Sequence, residues 1–162
     1  MKIKYEVRDL LSVPQGYYLA HNISADCSFE STVASQIQEA FNIKYWVENT
    51  MFALDLFVGN VVLDANVFNL ITKENRRCSV DLANFRHAVV DLANGCRETG
   101  LRKLAIAKLS TDEDGLDWGD VLEIFKEAFE DIDIDILVCV LSEDDIPDDE
   151  DETNEPDEEI NV

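Results

Sequence analysis

Six consecutive apolar residues, Ile136-Leu137-Val138-Cys139-Val140-Leu141, restrict this chain more than any other segment. A run this short and apolar at every position fits a strand covered on both faces. Such a strand, set within Ile132 to Leu141, needs helices above and below its sheet. The chain supplies them in alternation with further strands. Ile3, Tyr5 and Val7 alternate with polar residues, as in a half-buried strand. Pro14-Gln15-Gly16 then makes a turn into a short central strand, Tyr17 to Asn22. Leu54 to Leu63 is β-prone, with Gly59-Asn60 as a bend or bulge. Asn66 to Lys73 and Leu104 to Leu109 read as buried strands. Helical spacing links Val33, Ala34, Ile37, Ala40 and Phe41, with Ser31 or Thr32 as a cap. It also links Leu82, Phe85, Val89, Leu92, Ala93 and Cys96, with Gly100 as the stop. A third stripe comprises Val121, Ile124, Phe125, Ala128 and Phe129. Tyr45, Trp46, Met51 and Phe52 suggest one more short helix or packed loop. The alternation predicts a three-layer α/β/α domain over residues 1–141.

Charge sets limits on partners. The chain carries −22, but residues 142–162 hold twelve Asp or Glu and no Lys or Arg. The body retains 23 acids against 13 bases, or −10. That surplus argues against direct binding to nucleic acid or an anionic membrane. The tail, residues 142–162, is too polar to fold alone and is expected to be disordered. Its charge suits a basic protein partner. No run reaches a membrane-spanning length, and Met1-Lys2-Ile3-Lys4-Tyr5 lacks the apolar centre of a secretory signal. An intracellular protein, nuclear or cytoplasmic, is expected. Cys27, Cys78, Cys96 and Cys139 show no metal-type spacing and are expected as reduced thiols, Cys96 and Cys139 in the core. With only His21 and His87 beside them, no zinc site is expected, and His21 reads as a hydrogen-bonded core histidine. Asp112, Asp114 and Asp117 hint at a calcium loop, but its glycine and closing glutamate are absent.

Lys73 ends one strand, and Asp114 lies between the run Leu104-Ala105-Ile106-Ala107 and the helix opening Gly115-Leu116-Asp117-Trp118. In open α/β sheets, ligands bind outside the carboxyl ends of the strands, where these two residues can converge. An amine and a carboxylate together suit nucleophile and base chemistry. The plainer alternatives are a solvated lysine at a strand end and an acid in a charged loop.

Three segments carry a family resemblance through their shared order and spacing. They are Leu19-Ala20-His21-Asn22-Ile23-Ser24-Ala25-Asp26-Cys27, Leu70-Ile71-Thr72-Lys73 and Asp114-Gly115-Leu116-Asp117-Trp118. With them the chain resembles a macro domain, in particular the branch of terminal ADP-ribose protein glycohydrolases that also deacylate O-acetyl-ADP-ribose. The resemblance spans roughly Ile3 to Leu141 and implies a mixed central sheet. It also implies that Lys73 attacks the anomeric carbon of the distal ribose while Asp114 handles protons. Asp9 would meet the adenine amino group with Leu10 beside it, although an acid capping the next turn reads as well. Asn22 would fall near the distal ribose. The implied partner is ADP-ribose or an ADP-ribosylated protein, with no cofactor and no metal.

Two loops depart from the family. Where a glycine-rich loop would hold the diphosphate, this chain has Ser28-Phe29-Glu30-Ser31-Thr32. Phe29, Ser31 and Thr32 would there face the ligand, or Phe29 would plug the site. The second loop reads Leu109-Ser110-Thr111-Asp112-Glu113, with Ser110 and Thr111 on the ligand side. Glycine permits positive φ and close backbone approach, so its loss should weaken an anion site. Glu30, Asp112 and Glu113 would add repulsion. Each such contact at ~4 Å costs about 1 kcal/mol in bulk water and about 4 kcal/mol at an effective dielectric of 20. Binding weaker than in the family is therefore expected. A non-catalytic interaction module is the alternative.

Overall fold

A computed structural model describes residues 1–26, 32–41, 56–111 and 114–148. Its strands are β1 (Lys2–Val7), β2 (Tyr18–Ser24), β3 (Val61–Asp64), β4 (Val67–Lys73), β5 (Lys103–Ile106) and β6 (Asp135–Val140). Its helices are α1 (Thr32–Phe41), α2 (Leu82–Thr99) and α3 (Trp118–Ala128). The six strands form one sheet in the order β1-β6-β5-β2-β4-β3. All pairings are parallel except β3 with β4, so the sheet is mixed.

Side-chain alternation on the strands explains the layers. Ile136, Val138 and Val140 of β6 join Phe68, Leu70, Leu104 and Ile106 against α2 and α3. Leu137 and Cys139 turn the other way and join Leu19, Ile23, Val67 and Ile71 against Ala34 and Ile37 of α1. The unbroken apolar run at residues 136–140 is thus a strand with a helical layer on each side. Asp81 caps α2 by accepting from the N–H groups of Ala83 and Asn84, and Gly100 ends the helix at φ 67°. Gly95 lets α2 approach the sheet, since a Cβ there would lie 2.9 Å from the Phe68 ring.

Several elements are shorter than their apolar patterns. β5 stops at Ile106, and Leu109 stays buried beyond it in a turn. Ile132 and Ile134 are buried ahead of β6 without belonging to it. β3 begins only at Val61. Just before it, Gly59 N–H donates to the Ile71 carbonyl while the Asn60 carbonyl accepts from Ile71 N–H. Two residues therefore oppose one, which is a bulge. After β6, a short 3-10 turn at Glu143–Asp145 leads to Ile146, which packs half-buried on the core. The aromatic segment around Tyr45 and Trp46, and the acidic stretch 149–162, lie outside the described residues.

Candidate functional site

β1, β2, β4, β5 and β6 run the same way, so their carboxyl ends share one edge of the sheet. β2 occupies the middle. It pairs with β4 on one side and β5 on the other, and the chain reverses its direction of winding between them. A crevice at such a switch point is the usual ligand position in open α/β sheets.

Lys73 ends β4 at this edge, and Asp114 follows β5 in a loop. Lys73 Nζ lies 2.7 Å from Asp114 Oδ1, with side chains 16% and 12% exposed. Salt screens a pair this covered much less than one in open solvent. A register shift precedes Lys73. Ile23 pairs with Ile71, but Ser24 pairs with Lys73, so Thr72 is an extra residue in β4. A bulge re-aims the side chain that follows it. The Ala25 N–H donates to the Lys73 carbonyl at 2.8 Å and fixes the strand end.

Asn22 and Ser110 also meet at this edge, with Asn22 Nδ2 donating to Ser110 Oγ. Ser110 is buried and adopts φ 58°, the left-handed backbone that glycine favours. The second loop therefore keeps a positive φ without glycine, against the expectation drawn from the sequence. Thr111 is half-buried, and its hydroxyl donates to the Lys108 carbonyl at 2.9 Å. Asp9 is exposed and its Oδ1 accepts from Leu11 N–H at 2.9 Å, capping the 3-10 turn Leu10–Ser12. Leu10 points into the core, 6% exposed, among Leu19, Leu137 and Cys139. Phe29, Ser31 and the side chain of Thr32 lie outside the described residues, as do Glu30, Asp112 and Glu113.

Two polar residues near the edge, Ser24 and Thr72, carry no role in the sequence reading. Ser24, in register with Lys73, donates its hydroxyl to Asp26 Oδ1. Among the described residues, the buried Thr72 Oγ1 and Asn22 Oδ1 have no hydrogen-bond partner. Trp118, at the start of α3, donates to Tyr5 Oη at 3.1 Å and meets its ring edge-to-face. Asp117 caps α3, so the helix begins after Gly115 and Leu116 rather than with them. A cleft of about 640 Å³ beside the end of β1 contains neither Lys73 nor Asp114.

His21, Cys96 and Cys139 are buried in the core, away from the Lys73–Asp114 pair. His21 Nε2 pairs with Asn69 Oδ1 in the core, and burial lowers the histidine from 6.5 to about 4. Burial pushes the Cys96 thiol up to about 12 and the Cys139 thiol up to about 11. Cys78 is exposed, and all three are free thiols. Among the described residues no three His, Cys, Asp or Glu side chains converge as a metal site. No helix among them is long and apolar enough to cross a membrane.

This architecture is the macro-domain fold, and the chain is similar in sequence and structure to proteins that carry it. It is 27% identical over 143 residues to ADP-ribose glycohydrolase OARD1 of Bos taurus, covering 86% of this chain and 92% of that one. The Homo sapiens protein of the same name is 26% identical over the same length. The macrodomain of Mycobacterium tuberculosis DarG superposes with a TM-score of 0.77 at 22% identity, covering 86% of this chain and 98% of that one. Thermosipho africanus DarTG in complex with ADP-ribose superposes at 0.71 and 14% identity, covering 90% of this chain and 43% of that one. No protein-family model matches the chain.

Proposed function

We propose that this macro domain takes ADP-ribose carried on another molecule and hydrolyses its link to an acidic side chain or an acyl group. Lys73 is the nucleophile in this reading and Asp114 its proton partner. The observation that carries it is the 2.7 Å contact between Lys73 Nζ and Asp114 Oδ1 at the carboxyl edge of the sheet. Attack needs an amine without its extra proton, and Asp114 Oδ1 is placed to accept that proton. The amine then forms an N–C bond to the anomeric carbon as the C–O bond to the modified carboxylate breaks. The bonding pair leaves on that carboxylate. Water subsequently adds to the same carbon, the N–C bond breaks, and the displaced amine recovers a proton. The similarity to proteins named ADP-ribose glycohydrolase supports the substrate class.

The test is release of ADP-ribose from a glutamate-modified protein. The parent chain should release it, and Lys73→Ala should be slower by about 10³-fold or more. Undiminished release by Lys73→Ala would remove Lys73 from the mechanism.

The twelve acids in residues 142–162 favour a second reading. Here the domain is a non-catalytic interaction module whose tail draws a basic protein partner. Absence of release together with salt-sensitive binding to a basic protein would select this reading.

A further inference from the structure

We propose that Asn22 and Ser110 form a strut that positions the Asp114 loop against Lys73. The inference rests on the proposed role of Lys73 and Asp114 but is tested without their reaction. The backbone ladder between β2 and β4 continues up to Ser24 and Lys73, so Lys73 is held by the sheet. The ladder between β2 and β5 ends at Ala20 and Ile106, well before Asp114. Beyond it, Asn22 and Ser110 supply a side-chain bond between the two segments. Ser110 is also where the loop closes, since its carbonyl accepts from Leu116 N–H at 2.8 Å. Asp114 lies between these two anchor points. The left-handed backbone of Ser110, at φ 58°, is held in place by bonds at both its hydroxyl and its carbonyl. Asn22 is thus a positioning residue in this chain: its amide N–H is committed to Ser110.

The proposal makes Lys73 accessibility depend on two residues that do not touch it. The test is the rate at which Lys73 is acylated by a small amine reagent, mapped by mass spectrometry on the full chain. Asp114→Asn sets the reference for a released lysine. Asn22→Ala and Ser110→Gly should each raise the rate about 5-fold, toward that reference. The double variant should exceed neither single one, because both remove one strut. Ser110→Gly suits the positive φ and deletes only the hydroxyl, so it decides the question alone if Asn22→Ala fails to fold. If the chain releases ADP-ribose, both variants should lower kcat roughly 10- to 100-fold with KM little changed. The proposal is overturned if Ser110→Gly acylates at the parent rate, if Asp114→Asn does not raise acylation, or if the two changes add. Failure of the glycohydrolase reading would leave the acylation result intact.

Discussion

Two polar pairs tie β2 or its surroundings to β4, and they differ in what lies around them. His21 and Asn69 face each other across the β2–β4 ladder, 1% and 0% exposed. Asn69 Nδ2 also donates to the Val62 carbonyl at 3.1 Å, which turns Oδ1 toward the histidine. Lys73 and Asp114 meet only a few residues further along, but their partnership joins a strand end to a loop. The first pair is closed inside the sheet by strands on either side. The second sits where the sheet stops and where a ligand can approach. Burial alone therefore does not set the two pairs apart. Position at the carboxyl edge does.

The comparison implies opposite signatures for the two pairs. Asp114→Asn should lower turnover by about 10²- to 10⁴-fold while the melting temperature changes little. A large loss of stability with preserved turnover would make this pair structural as well. Asn69→Leu should do the reverse. It removes the Asn69 side-chain bonds to the His21 ring and to the Val62 carbonyl, and should cost about 2–3 kcal/mol in denaturant unfolding. A neutral result would mean the buried pair is replaceable.

His21 sharpens the contrast through pH. Its folded value of about 4 lies below the unbound 6.5, because burial disfavours the charged ring. The unfolded chain takes up a proton as pH falls through 6.5, whereas the folded chain does not until about 4. The stabilisation is thus complete above that window and is lost as pH falls through it. The loss should reach about 2 kcal/mol by pH ~5, before carboxylates dominate. Unfolding curves across this range should show the slope, and His21→Gln should flatten it. The smallest effect is expected at Arg86 and Glu127, an exposed pair between α2 and α3, 50% and 57% exposed. Arg86→Ala should cost roughly 0–1 kcal/mol, diminishing with salt.

Much of the frame was legible because each layer has its own period. The apolar run at Ile136–Val140 and the stripe from Phe85 to Cys96 placed β6 and α2, and Gly100 marked the helix end correctly. Strand ends were less legible, since apolar residues such as Leu109 and Ile134 remain buried after hydrogen bonding to neighbours stops. Lys73 and Asp114 are 41 positions apart, so no local pattern joins them. Their meeting was anticipated from family resemblance and strand topology. The bulge at Thr72 and the Asn22–Ser110 bond left no sequence signal, because both arise from register between distant segments. Ser110 was misleading. A missing glycine suggested a missing positive φ, yet tertiary bonds hold a serine in that conformation.

The account turns on whether Lys73 makes a bond to the sugar. The direct measurement is peptide mapping by mass spectrometry after the chain has been mixed with a glutamate-ADP-ribosylated protein and quenched during turnover. An ADP-ribosyl adduct on the peptide carrying Lys73, absent in Lys73→Ala, is the predicted result. Steady release of ADP-ribose with Lys73 unmodified throughout, and release retained by Lys73→Ala, would contradict it.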